Sequence, residues 1–221
     1  MTATLEARDL YRFYHAGDEE TLALRGVSLA VDAGELVAVT GPSGSGKSTL
    51  LACLAGLDEP DGGMVVIEGE SLSRRSEQVR AAMRARHIGL LFQNGNLLDQ
   101  LTVAENVRVA RRLARHVHPR RTVSDVLEDL GIGDRANARP SQLSGGELAR
   151  AGLAIAIAND PSVVLADEPT GELDYATASR IIALLRGRAD SGTAVVVVTH
   201  SAEVASASDR VISLRDGQLT S

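Results

Sequence analysis

The chain has 221 residues, with 29 acidic and 23 basic side chains for a net charge of -6, and it is 44% hydrophobic and 24% charged. That balance is globular and excludes wholesale disorder, a collagen-like fibre and, with Cys53 the single cysteine, a disulfide scaffold. A net acidic chain also lacks the basic surface on which a dedicated nucleic-acid binder depends, so no nucleic-acid partner is expected.

In chain order, Met1 to Asp9 carries Glu6, Arg8 and Asp9 and lacks the apolar stretch of a secretory leader, so a reducing cytoplasmic setting is expected. Val27, Leu29 and Val31 alternate with Ser28, Ala30 and Asp32, the period of a strand with one buried face. Gly34 turns the chain into a valine-rich strand, Leu36 to Thr40. A glycine-rich loop follows, and then Leu50, Leu51, Leu54 and Leu57 at helical spacing. Residues 58–63 form a turn cluster, and Met64 to Ile67 and His87 to Phe92 are further apolar runs. Thr102 to Glu105 and Thr122 to Asp125 are capping-box patterns, so residues 94–158 are expected to be mainly helical. The longest apolar run, Ala151 to Ala158, is far short of the roughly 18–20 residues that cross a bilayer. Val163 to Ala166, Ala194 to Thr199 and Val211 to Leu214 return as β-branched runs around a helix from about Tyr175 to Ala189. Strands of continuous polarity alternating with helices predict an α/β fold, a parallel sheet covered on both faces.

Among the 23 bases only Lys47 is a lysine. It stands in Gly41-Pro42-Ser43-Gly44-Ser45-Gly46-Lys47-Ser48-Thr49, directly after a strand and opening a helix, the setting that Gly-x-x-x-x-Gly-Lys-[Ser/Thr] requires. The glycines let backbone amides turn inward around phosphate oxygens, Lys47 supplies a compact ammonium for the β- and γ-phosphates, and Ser48 offers a hydroxyl to Mg²⁺. Val163 to Ala166 runs into Asp167 and Glu168, which places both acids at the carboxyl edge of a parallel strand. Asp167 suits Mg²⁺, and Glu168 suits general-base work on an attacking water. In Leu143-Ser144-Gly145-Gly146-Glu147, Ser144 and Glu147 have capping-box spacing, while the two glycines leave first-turn amides open to a phosphate. His116 and His118 stand without a cysteine or carboxylate cluster, and no transition-metal site is assigned.

With these motifs in this order, the chain resembles the nucleotide-binding subunit of an ATP-binding cassette (ABC) transporter over essentially its whole length. Gly41–Ser48 resembles the Walker A loop, Leu143–Glu147 the signature sequence and Val163–Glu168 the Walker B strand. The resemblance implies further roles: Gln93 as the Q-loop residue that links Mg²⁺ and water to the membrane partner, Asp174 in a D-loop of Gly171-Glu172-Leu173-Asp174, His200 as the switch histidine at the γ-phosphate, and Tyr14 as the aromatic that stacks on adenine, with Tyr11 and Phe13 as competitors. It implies a P-loop NTPase core, an N-terminal antiparallel β subdomain and a helical signature subdomain over about 94–158, all within one domain of residues 1–221. The implied activity is ATP hydrolysis, with ATP and Mg²⁺ bound.

Phe92-Gln93-Asn94 through Leu98 and Asp167 through Asp174 resemble the branch serving lipoprotein release, macrolide-type export and cell division, which implies a separate transmembrane permease and a place on the inner face of the cell membrane. Gly95 and Asp99 depart from that branch on the loop that meets the permease, and Leu148 and Ile155 depart after the signature. One Walker A and one signature occur, and the signature is expected to lie away from Lys47 and Glu168. The resemblance then implies a head-to-tail homodimer in which Ser144 and Gly146 of one chain clamp ATP held by Lys47 of the other. A regulatory ATPase that signals across the membrane without transport is the alternative. A DNA-repair or translation cassette would carry a coiled-coil insertion or a second cassette. The arginines Arg108, Arg111, Arg112, Arg115, Arg120 and Arg121, without interleaved aromatics, read as a solvated helical face.

Overall fold

The computed structural model describes residues 3–16, 19–93, 96–114 and 121–220. An antiparallel sheet of four strands is built from β1 (Leu5–Ala16), β2 (Glu19–Val31), β4 (Gly62–Ile67) and β5 (Glu70–Ser71), in the order β2-β1-β4-β5. A second sheet has six strands: β3 (Leu36–Thr40), β6 (Ile88–Leu91), β7 (Val163–Asp167), β8 (Ala194–Val198), β9 (Arg210–Arg215) and β10 (Gln218–Thr220). Its order is β10-β9-β3-β8-β7-β6; every pair is parallel except the β9–β10 hairpin at one edge.

Alternation along the central strands shows why their sequences lack a polar face. Val37, Val39, Val163, Leu165, Val196 and Val198 point to one side, into a core shared with α1 (Lys47–Leu54) and the antiparallel sheet. Leu36, Val164, Ala166, Val195 and Val197 point to the other, against α3 (Val103–Leu113), α4 (Val123–Asp129), α5 (Gly145–Ala156) and α6 (Tyr175–Asp190). Period 2 thus sends every residue into an apolar layer, and the strands read as unbroken hydrophobic runs.

The sequence-predicted caps hold at α3 and α4: Thr102 and Thr122 each accept, through the side-chain hydroxyl, from the amide three residues on and donate their own backbone amides to the Glu105 and Asp125 carboxylates. One expectation is corrected at α1. Leu57 does not continue the helix: the chain leaves helical geometry at Gly56, whose φ is +61° and whose missing Cβ would sit 2.8 Å from Leu72, and Leu57 is exposed. Two helices went unforeseen, α2 (Glu77–His87) and α7 (Ala202–Ala207). In α2 only Met83 is buried, and Glu77 bonds both Arg80 and Arg84 on its outer side. Among the described residues no helix is long and apolar enough to cross a membrane.

Candidate functional site

The carboxyl ends of β3, β6, β7 and β8 face a cleft of about 690 Å³. The loop after β3 enters it first. Gly46, immediately before α1, lies at φ +102°, and a Cβ there would stand 2.4 Å from the carbonyl oxygen of Ala23 in β2. Gly41 is closer still to its wall, with a virtual Cβ 2.1 Å from the carbonyl oxygen of Leu214 in β9. No side chain fits at either position, so the loop backbone lies flush between β2 and β9. Gly44, also at positive φ, has nothing within 4 Å of its virtual Cβ and faces the open cleft. Lys47 folds over this concavity, its Nζ donating to the carbonyls of Gly41 and Pro42 at 2.9 Å each. Ser45 is buried with its Oγ unpartnered, and its carbonyl accepts from the Gly217 amide at 3.0 Å. Ser43, Ser48 and Thr49 also line the cleft, whereas Pro42 does not.

The acidic wall comes from β7 and β8. Asp167 ends β7; its carboxyl is held above the usual range, mainly by burial, with the Ser48 hydroxyl opposing. Glu168 takes left-handed backbone geometry, φ +46°, fixed by its amide donating to Val198 O at 2.9 Å. That twist swings its carboxylate toward the end of β8, where Thr199 Oγ1 donates at 3.1 Å and His200 Nδ1 lies 2.8 Å away. Gln93 follows β6 and lines the same cleft, its Nε2 donating to Glu172 at 3.1 Å. Tyr14 is the only one of the three aromatic candidates at the cleft: Tyr11 packs instead against Gly26 and Gly62.

The structure therefore gathers Tyr14, the phosphate loop, Gln93, Asp167, Glu168 and His200, and leaves the signature residues and Asp174 out of the cleft lining. Ser144 caps α5: its Oγ accepts from Glu147 N at 3.3 Å, and the Glu147 carboxylate accepts from Ser144 N at 2.8 Å. Arg135 Nε adds a bond of 2.7 Å, and these donors, the Ser144 backbone first, hold the Glu147 carboxyl down to about 2. Leu143 packs against the helical core, and Gly145 and Gly146 lie in the first turn. Gly146 has a packing reason that the pattern did not give: a Cβ would meet Thr177 Cγ2 at 2.5 Å. Thr177 in turn donates to Asp174, the N-cap of α6, at 2.6 Å. Residues 143–147 and the N-cap of α6 thus abut within one chain.

Asn94, Gly95, Arg115, His116, His118 and Arg120 lie outside the described residues. Of the arginines read as a solvated face, Arg111 and Arg121 are tied to the chain, Arg111 through backbone carbonyls and Arg121 through Asp129 and Asp160. Sequence reasoning missed Thr199, Glu172, Arg12 and Asp58 as neighbours of site residues. Only Arg12 left a signal, two places before Tyr14 on one strand face.

A glycine loop between a parallel strand and a helix, a lysine at its mouth and two carboxylates across the cleft define a P-loop nucleotide-binding domain. Comparison with known proteins makes this specific. The family model for ABC transporters matches residues 24–171. An ABC transporter ATP-binding protein of Thermotoga maritima is 44% identical over 99% of this chain and 94% of its own length. The macrolide export ATP-binding/permease protein MacB of Escherichia coli is 41% identical over 99% of this chain, which spans only 34% of that relative. Among solved structures, a dimeric ATP-binding cassette in a post-hydrolysis state with ADP and phosphate superimposes with a TM-score of 0.88, at 35% identity, over 98% of this chain and 97% of its own. The chain belongs to the ABC transporter family and is an ABC-type ATPase.

Proposed function

We propose that the chain is the ATP-hydrolysing subunit that pairs on ATP and drives a separate transmembrane permease from the inner face of the cell membrane, in export or lipoprotein and envelope-related transport. The observation that carries the reading is the division of the motifs: the phosphate loop and both carboxylates share one cleft, while Ser144 and Gly146 stand outside it. A second copy placed head to tail supplies the missing donors, and ATP binds the paired state better than the separated one, which is what shifts the equilibrium. The dimeric solved cassette supports pairing. The name of the Thermotoga relative, nearly all of which the chain covers, supports an ATP-binding subunit distinct from its permease. MacB, whose name joins ATP-binding and permease functions to macrolide export, supports export. A groove of about 1240 Å³ between α2, β6, α3 and α5, walled by Val79, Met83, Leu113 and Ile155, offers an apolar seat for a permease segment beside the Gln93 loop.

In the cleft, loop amides and Lys47 receive the β- and γ-phosphates, Lys47 exchanging its two carbonyl acceptors for phosphate oxygens. Tyr14 stacks on the adenine. Water attacks the γ-phosphorus, the β–γ bond breaks, ADP leaves, and Glu168 takes the proton. His200 and Thr199 hold the Glu168 carboxylate in position for that transfer. The oxygen donors Ser48, Asp167 and Gln93 fit Mg²⁺: burial raises the Asp167 carboxyl, as expected of a group built to face a cation. Held by those residues, the ion would supply neutralisation of the charge that develops on the phosphates. Glu168→Gln tests the model. It should retain ATP, lose turnover and elute as a dimer with ATP and Mg²⁺; a monomer at high concentration under those conditions refutes it.

A further inference from the structure

Arg12 and Tyr14 lie two residues apart on β1, where period 2 puts both side chains on one side of the strand. The Arg12 guanidinium sits 4.8 Å from the centroid of the Tyr14 ring, covering one face. Its nitrogens are committed: Nε donates to Asp58 at 2.9 Å, Nη2 pairs with the other Asp58 oxygen at 2.8 Å, and Nη1 donates to Asp61 at 3.0 Å. The phenol hydroxyl of Tyr14 donates to the same Asp58 carboxylate at 2.8 Å. Asp58 belongs to the turn just after α1, the helix that opens with Lys47. The ring is therefore fastened at its edge to the phosphate-loop helix and backed on one face, while it remains 40% exposed at the cleft.

We propose that Arg12 and Asp58 are positioning residues that fix the plane of Tyr14, so that the guanidinium backs one ring face and the purine of the bound nucleotide stacks on the other. The proposal rests on the reading of Tyr14 as the adenine platform and adds how that platform is held. Arg12 could otherwise be taken for a phosphate ligand, but its donors are spent on two carboxylates. Its effect must pass through the base. A pre-set ring spares the ordering cost of freezing a free side chain on binding, and a cation behind the ring favours stacking of an electron-rich purine.

The test is equilibrium binding of ADP and, separately, of inorganic tripolyphosphate to the full chain carrying Arg12→Ala, Tyr14→Ala or both. Tyr14→Ala should weaken ADP by about 5- to 150-fold, the range for loss of one base–aromatic stack. Arg12→Ala should weaken ADP by about fivefold, of the order of one cation–π contact together with the lost ordering. Tripolyphosphate binding should be unchanged in both, and Arg12→Ala should add nothing once Tyr14 is gone. In turnover, Arg12→Ala should raise KM for ATP and leave kcat at saturation intact, a split that a general loss of structure would not produce. If Arg12→Ala does not fold, Arg12→Gln, which keeps the reach to Asp58 without the charge, carries the same expectation. A loss in Tyr14→Ala with none in the Arg12 variants overturns the clamp alone. So does an additive double variant, or an equal loss for tripolyphosphate. Unchanged ADP binding by Tyr14→Ala overturns the stacking reading itself.

Discussion

Gly146→Ala isolates the contact between the first turn of α5 and the first turn of α6. An alanine Cβ would lie 2.5 Å from Thr177 Cγ2, whereas carbon atoms in contact settle near 3.5–4.0 Å. About 1 Å must therefore open between α5 and α6, and overpacking of this kind costs about 1–3 kcal/mol. Replacing glycine in a helix returns at most about 1 kcal/mol. A net loss of about 1–2 kcal/mol follows, which in a chain of this size lowers Tm by roughly 2–8 °C. Thr177→Ser removes the offending methyl and keeps the hydroxyl that bonds Asp174. The double variant should consequently melt within about 2 °C of Thr177→Ser alone, which makes the pair strongly non-additive. Thermal melts of the four proteins measure this directly. Gly146→Ala as stable as the parent, or additive losses in the double variant, would show that the two elements do not press on each other as described.

Asp167→Asn should abolish turnover yet raise Tm at neutral pH. Because burial lifts the Asp167 carboxyl in the folded chain, the acid favours folding below its ordinary value near 3.8 and loses that contribution as pH rises through the higher folded value. The advantage of the asparagine variant should grow as pH rises above about 4; a constant or shrinking difference across paired melts contradicts the assignment. Ser144→Ala removes an N-cap acceptor and should cost about 1 kcal/mol, read by denaturant titration. The Glu147 half of that cap rests first on the backbone amide of residue 144 and then on Arg135, so in the parent and in Ser144→Ala alike it is present above about 4.5 and fades as pH falls toward about 2, and most of the difference between the two should persist in acid.

Much of the sheet was legible because its strands are buried on both sides, which leaves valine runs that no other element produces. Caps were legible for a similar reason: Thr102, Thr122 and Ser144 each need a partner three residues on, a constraint local in sequence. β1 escaped notice because Arg8, Asp9, Arg12 and the aromatics break its alternation, and its pairing carries several register shifts. α2 escaped because it buries only Met83 and carries Glu77 and arginines where an apolar stripe would have shown. At the site, the phosphate loop and Asp167-Glu168 were readable from spacing alone. The neighbours that orient them were not. Thr199 reaches Glu168 across 31 positions, Glu172 reaches Gln93 across 79, and Asp58 reaches Tyr14 across 44, and nothing local marks such meetings.

The wall behind the phosphate loop comes from far along the chain. Thr40 donates to Ile212, 172 positions later, the Leu214 carbonyl forbids a side chain on Gly41, and the Gly217 amide holds Ser45. During synthesis the ribosome releases the glycine loop long before these backing strands, so the nascent chain carries the nucleotide sequence motif without its mould. The mould of the loop is therefore complete only once the β9–β10 hairpin has joined the sheet beside β3.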